Sequence, residues 1–170
     1  MAELPKQDNR TEQSESSPHP LPAVSPLVRA FATGLFSGYV PVASGTFGSL
    51  VGVIAYLIPG FEDLRVILPA ITVVLILGSL AAGRMERAYG HDPSIVTIDE
   101  VLGMWVSLLL LPKTLSVVVG AFILFRLFDI LKPPPARMFD RMKGGWNIML
   151  DDVVAGVYAN ILLQAAIRVF

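Results

Sequence analysis

The sequence predicts an all-α fold, a compact bundle of about six mostly apolar helices partly embedded in a membrane. Three observations carry this reading. Charged residues make up 16% of the chain, against about 25% in ordinary soluble domains. Charge is absent from two long runs, the 32 residues Ala30–Phe61 and the 18 residues Val66–Gly83. The apolar stretches are also continuous, without the period-two alternation of a half-buried strand.

Taken in order, residues 1–26 hold five prolines, four serines and four acids against two basic residues. Such a segment buries too little apolar surface to offset its chain entropy. It is therefore expected to be a disordered, dispensable tail. It lacks the basic start and apolar run of a signal peptide. The folded domain is expected to cover 27–170, a length that supports one core.

Helices are expected at 27–39, 47–58, 64–88, 98–111, 114–131 and 149–168. Pro41, Pro59–Gly60, Pro93, Pro112 and Pro133–Pro135 separate them. Thr97-Ile-Asp-Glu100 has the spacing of a capping box. Asp151–Asp152 are expected at the start of the last helix, where an anion suits the helix dipole. The run Val66–Gly83 is about 27 Å long as a helix, just short of the roughly 30 Å hydrocarbon core. The other helical stretches run 12 to 15 uncharged residues, which favours buried or re-entrant segments, so one or two spans are expected. Gly-rich, Pro-broken sequence such as Gly34–Gly60 is tolerated at membrane depth only against protein.

Composition excludes several chemistries. The chain has no cysteine, hence no disulfide framework, zinc-thiolate site or thiol nucleophile. A net charge of −1 gives no basis for bulk nucleic-acid binding. With only His19 and His91 present, a histidine metal cluster or a Ser-His-Asp triad is unsupported, and His91 is expected in a solvated loop.

Four segments remain as carriers of chemistry. Gly45-Thr46-Phe47-Gly48-Ser49 precedes an apolar helix, where unpaired N–H groups cradle a phosphate or Ser44 or Thr46 simply caps the helix. Asp99 and Glu100 are adjacent acids pointing about 100° apart. They are therefore not expected to grip one ion from the same face: one is expected to cap while the other faces a site. Arg126, Asp129 and Lys132 fall within one arc of about 120° on a greasy helix. That pattern fits either an ion-pair ladder or phosphate and metal binding beside a membrane. Asp151 and Asp152 follow the turn Gly144–Gly145 and repel each other, so unless both stay solvated something positive is expected nearby, either Mg2+ or basic residues of the chain. A fifth segment, Ala136–Lys143, interleaves Arg137, Arg141 and Lys143 with Met138, Phe139 and Met142. It suits either a short helix on an anionic lipid surface or a solvated face.

In series these segments resemble the bacterial phosphatidylglycerophosphatase A family. The resemblance rests on Gly38-Tyr-Val-Pro with Gly45-Thr-Phe-Gly-Ser49, Ile98-Asp-Glu-Val-Leu-Gly-Met-Trp105, and Phe125-Arg-Leu-Phe-Asp-Ile-Leu-Lys-Pro133. It continues through Phe139-Asp-Arg, Gly144–Gly145 and Asp151-Asp152-Val-Val-Ala-Gly156. Together they cover most of residues 30–160. Two positions depart from the family pattern: Ser44 stands where proline is expected and Asn147 where glycine is expected.

The resemblance implies an all-helical enzyme of the bacterial inner membrane, its site facing the cytoplasm. It would act on phospholipid among membrane lipid, removing the terminal phosphate of phosphatidylglycerophosphate to give phosphatidylglycerol with Mg2+ as cofactor. It further implies Asp99, Glu100, Asp129, Asp151 and Asp152 as catalytic residues and Thr46, Arg126 and Lys132 as phosphate-binding. Asp99, Asp129, Asp151 and Asp152 would be the Mg2+ ligands. Two other readings stay open: a non-enzymatic ion-conducting bundle with carboxylates along its path, and a related phosphatase acting on a prenyl pyrophosphate or a soluble sugar phosphate.

Overall fold

The computed structural model describes residues 23–169. The expected tail lies almost wholly outside the described residues. Within them the chain forms α1 (Pro26–Ala32), a 3-10 turn (Ser37–Tyr39), α2 (Ser44–Leu57), α3 (Leu64–Tyr89) and α4 (Ile98–Ser107). α5 (Leu115–Leu131), α6 (Ala136–Asp140) and α7 (Gly145–Val169) complete it, and no strand occurs among the described residues.

Boundaries differ from the sequence expectation where the backbone turns left-handed. The first helix stops at Ala32, because Gly34, Leu35 and Phe36 have φ of 51°, 56° and 70°. α2 starts at Ser44, three residues early, behind Ala43 at φ 54°. α4 ends at Ser107 instead of 111, with Leu110 at φ 58°. α7 begins at Gly145, four residues before expectation, so Asp151 and Asp152 lie in its second turn. The short basic segment does form a helix, α6, which packs on α7.

α4 is the centre of the bundle. Of its ten residues, nine are buried, Glu100 being the exception, as expected of a helix apolar on nearly all sides. It touches α2, α3, α5 and α7. Trp105 donates its indole N–H to the Gly52 carbonyl at 2.9 Å, tying α4 to α2. Asn160 of α7 donates to the carbonyls of Ser107 and Leu109 at 3.1 and 2.7 Å, satisfying groups that a helix end leaves open.

Where α4 crosses α7 the backbones touch. A Cβ on Gly156 would collide with the Gly103 carbonyl oxygen. A Cβ on Gly103 would lie 2.8 Å from the Asp152 carbonyl oxygen and 2.5 Å from the Phe125 ring. Only glycine fits at either position.

The outer helices carry apolar side chains outward, among them Leu68, Ile76 and Leu80 on α3 and Ile123 and Ile130 on α5. α3 has 26 residues and α7 has 25, about 39 and 37 Å at 1.5 Å per residue. Their most apolar windows are only 39% and 44% buried inside the bundle. Both are long and apolar enough to cross a membrane.

Gly156→Ala is expected to destabilise the protein by about 1–3 kcal/mol through overpacking, read as a lowered midpoint of thermal unfolding in detergent. Gly120, whose Cβ would meet Leu163 at an ordinary 3.4 Å, is the control: Gly120→Ala in mid-helix should be neutral or slightly stabilising. Equal effects at the two sites would contradict the close crossing.

Candidate active site

The start of α2, the start of α4, the end of α5, the early turns of α7 and the 90–97 loop frame one cavity of about 540 Å³. Its lining includes Ser44, Gly45, Asp92, Asp99, Glu100, Arg126, Asp129, Lys132, Asp151 and Asp152. Eight charged side chains of an otherwise apolar bundle are thus gathered at one cavity.

The acidic wall begins on α4. The expected capping box does not form: the Thr97 side chain makes no cap bond and its hydroxyl pairs with that of Ser37 at 3.0 Å. Both acids are therefore free to face the cavity. Asp99, Glu100 and Asp152 each bring one carboxylate oxygen to within 4.8 Å of the others. This corrects the expectation that adjacent acids cannot serve one ion. The extra methylene of Glu100 lets it lean into the space beside Gly45, where a Cβ would strike its Oε1.

Asp151 and Asp152 diverge. Asp152 faces Asp99 and Glu100, whereas Asp151 accepts from Lys132 Nζ at 2.7 Å. Lys132 also donates to Asp140. Lys132 is not on the helical arc with Arg126 and Asp129. It is the residue that ends α5, at φ 44°, and reaches the cavity from there. Asp129 lies 2.6 Å from Arg126 Nη1.

Of the expected Mg2+ ligands, Asp99 and Asp152 converge with Glu100, while Asp129 and Asp151 line the same cavity beside the two bases. Thr46 stands one residue past Gly45, partly exposed and outside the cavity lining. Two acids escaped the sequence reading, Asp92 in the lining and Asp140 on Lys132. Asp92 sits in a Pro-containing loop and Asp140 in a basic segment, where no periodicity marks either.

The two departures from the family pattern each make a side-chain bond to a backbone carbonyl. Ser44 Oγ donates to the Ser94 carbonyl at 2.8 Å, and Asn147 Nδ2 to the Lys143 carbonyl at 2.7 Å. The Ser44 hydroxyl therefore does not cap α2. His91 Nδ1 and Glu86 Oε1 are 2.8 Å apart, and Glu86 also accepts from the Gly144 amide at 2.8 Å. The loop that carries Asp92 is thereby tied to the start of α7.

Buried polar groups are normally satisfied, yet Asp99 Oδ1, Glu100 Oε2, Asp151 Oδ1 and Arg126 Nε and Nη1 have no hydrogen-bond partner. Six acids face two bases in the lining. Oxygen-only donors around an acidic excess suit a hard divalent cation. On the other wall, a Cβ on Gly45 would lie 2.8 and 3.0 Å from the two terminal nitrogens of Arg126. Gly45 and Ser44 occupy the first turn of α2, where N–H groups point out of the helix unpaired. One wall could hold a metal ion, and the other presents the Arg126 guanidinium and first-turn amides.

Burial pushes the Glu100 carboxyl up to about 8, with Asp152 and Asp129 adding repulsion while Asp99 and Arg126 oppose the rise. Burial likewise raises Asp99 well above the carboxylate range, and Glu100 and Asp151 add to it. Burial alone would lower Lys132, but its bonds to Asp140 and Asp151 hold its ammonium above its ordinary value.

A carboxyl raised on folding keeps a proton that the unfolded chain releases, so its contribution is full below the unfolded pKa and is lost as pH rises through the folded one. Without a divalent cation, thermal stability should therefore fall from about pH 5 to about pH 8. A bound cation replaces those protons, so millimolar Mg2+ should flatten the decline. Thermal unfolding of the detergent-solubilised protein across this range, with and without Mg2+, measures both. A metal-free midpoint that climbs with pH would contradict the assignment.

Comparison with known proteins follows the same positions. The family model described as phosphatidylglycerophosphatase A matches residues 30–167. A Bacteroides thetaiotaomicron protein named putative phosphatidylinositol-3-phosphatase is 39% identical over 142 residues, covering 79% of this chain and 89% of that protein. The phosphatidylglycerophosphatase A of Haemophilus influenzae is 34% identical over 153 residues, covering 86% and 94%. That of Escherichia coli is 35% identical over 129 residues, covering 74% and 75%. No solved structure matches the chain. The cavity's acids and bases all fall inside the matched region, and the chain belongs to the phosphatidylglycerophosphatase A family.

Proposed function

We propose that this protein is a Mg2+-dependent lipid phosphatase of the bacterial inner membrane, its site opening to the cytoplasm. It hydrolyses the terminal phosphate monoester of phosphatidylglycerophosphate, consuming one water and releasing phosphatidylglycerol and phosphate. The observation that carries the reading is the pairing of walls across Gly45, unsatisfied carboxylate oxygens on one side and a guanidinium with its Nε unpartnered on the other.

Phosphate-monoester hydrolysis is among the slowest uncatalysed reactions, and its transition state spreads charge over the equatorial oxygens. Catalysis is then mainly a matter of position and field. Arg126 holds phosphate oxygens through its free Nε and the N–H groups that Asp129 leaves open, with the planar fork that suits this geometry. The first-turn amides of α2 complete the cradle. Lys132, fixed by Asp140 and Asp151, adds a positive point charge at the rim. Asp129 orients Arg126 through their contact. Asp99, Glu100 and Asp152 would hold Mg2+, which when bound supplies charge compensation and Lewis acidity. The apolar flanks of α2 and α5 keep bulk water from the lipid side of the phosphate.

A second reading is favoured by the Bacteroides relative, whose name gives a phosphoinositide monoester as substrate. A panel of phosphatidylglycerophosphate, phosphatidylinositol 3-phosphate and glycerol phosphate, assayed for phosphate release, separates the two. The proposed substrate should lead in kcat/KM by at least about tenfold, a difference of about 1.4 kcal/mol. Preference for the inositol lipid would transfer the assignment to it. Ion flux in liposomes without phosphate release from any substrate would support the conducting-bundle reading.

The same reading divides the acids. Asp99→Asn and Asp152→Asn should lower activity by orders of magnitude and shift the Mg2+ half-saturation point upward, because Asn lacks the charge the ion needs. Asp129→Asn and Asp151→Asn should lower kcat by loosening Arg126 and Lys132 while leaving Mg2+ half-saturation within a small factor. A Mg2+ titration of each variant measures this. Identical shifts in all four would mean that the acids act as one ligand set.

A further inference from the structure

Outside the active-site cavity the molecule has a second, almost wholly apolar groove of about 310 Å³ between α2 and α5. Its walls are Leu50, Val53 and Leu57 on one side and Val118, Val119 and Phe122 on the other, with Leu115 at the foot. These residues are spaced three or four apart, so each set forms one stripe along its helix. Continued toward the active site, the α2 stripe meets Thr46, four residues before Leu50. The α5 stripe meets Arg126, four residues after Phe122.

The two helices run antiparallel, with the start of α2 and the end of α5 both at the active site. Thr46 to Leu57 and Arg126 to Leu115 are each 11 residues, or about 16–17 Å at 1.5 Å per residue. That matches the roughly 15 Å depth of one leaflet, half the hydrocarbon core. The far end is closed by Lys113, which donates to Glu62 at 2.7 Å and to the Ile58 carbonyl at 2.8 Å.

We infer that this groove binds one acyl chain of the lipid whose phosphate lies against Arg126, and that it makes the enzyme selective for long-chain substrates. The inference rests on the lipid-phosphatase reading above. The occupant is argued from continuity: the same two stripes carry a phosphate ligand at one end and an apolar trough of leaflet length below it. The trough also gives Thr46 a place, at the junction of headgroup and chain and not within the phosphate cradle. A shorter chain fills only the upper part of the trough and leaves the lower part without contacts.

The test blocks the far end. Leu57 and Val119 are both about half exposed, so tryptophan at either should be accepted by the fold. Leu57→Trp and Val119→Trp should lower kcat/KM for dioleoyl phosphatidylglycerophosphate by about tenfold or more, through KM, because each methylene denied burial weakens binding. The dihexanoyl substrate, too short to reach the block, should keep wild-type kinetics, which also reports an intact fold. Equal treatment of both substrates by folded variants would overturn the groove while leaving the phosphatase reading in place. A wild-type protein that hydrolyses neither lipid would remove the reading and the groove together. A second readout uses the wild-type protein and a long-chain substrate analogue with a photoreactive chain terminus. Labelling of residues 50–57 and 115–122, suppressed by unlabelled substrate, supports the groove; labelling elsewhere overturns it.

Discussion

The backbone contact between Gly103 and Gly156 is the constraint on which the rest of the structure depends. Asp99 lies four residues before Gly103, and Asp152 four residues before Gly156. Each carboxylate thus stands one turn from the crossing, on the same side of it. Because two helices meet there without an intervening side chain, the acids one turn away cannot be far apart. Glu100 joins them because Gly45, on α2, leaves room for it. Two helices distant in sequence, α4 and α7, are thereby made to present oxygens to one point, and α2 leaves the space for them.

Such an arrangement does not hold by itself. Two like charges 4.8 Å apart repel by about 3–4 kcal/mol at an effective dielectric of 20. That is a sizeable fraction of a domain's net stability. Burial chiefly, and this repulsion with it, raises the Asp99 and Glu100 carboxyls. Lys132 and Arg126 offset the trio only in part, because each is engaged by another acid, Asp151 and Asp140 for the lysine and Asp129 for the arginine, and the rise at Glu100 persists against the nearby guanidinium. In the proposed reading the bases serve the opposite wall, and the acidic wall is the place for a divalent ion. The separation of the walls follows from α5 ending where it does, with Lys132 turned out of the helix and Arg126 on its last turns.

Much of this was legible in the sequence. The all-helical class, the long α3 and the four chemical segments follow from charge-free runs, proline placement and motif order. The ligand set was less legible. Helical angles alone separate Asp99 from Glu100, and nothing in the local pattern shows that Gly45 from another helix opens space for the longer side chain. The capping-box spacing at Thr97 was misleading because a distant hydroxyl, Ser37, takes up the threonine. Asp92 and Asp140 were invisible as site residues because loops and basic surfaces ordinarily carry acids of no consequence. Helix starts at Ser44 and Gly145 were missed because polar residues and glycines inside a first turn look like the turn before it. In each case the missing information was a tertiary contact.

The central claim is that the glycine crossing sets the spacing of a cation site. The most direct measurement is the affinity for Mg2+, or for Mn2+ as its paramagnetic substitute, of Gly156→Ala alone and combined with Asp152→Glu. Spreading α4 from α7 should weaken cation binding by about tenfold, or about 1.4 kcal/mol. The longer glutamate at 152 should recover part of that loss by reaching across the widened gap. A Gly156→Ala protein that binds the ion as tightly as wild type, or a loss that the glutamate deepens, would contradict the account.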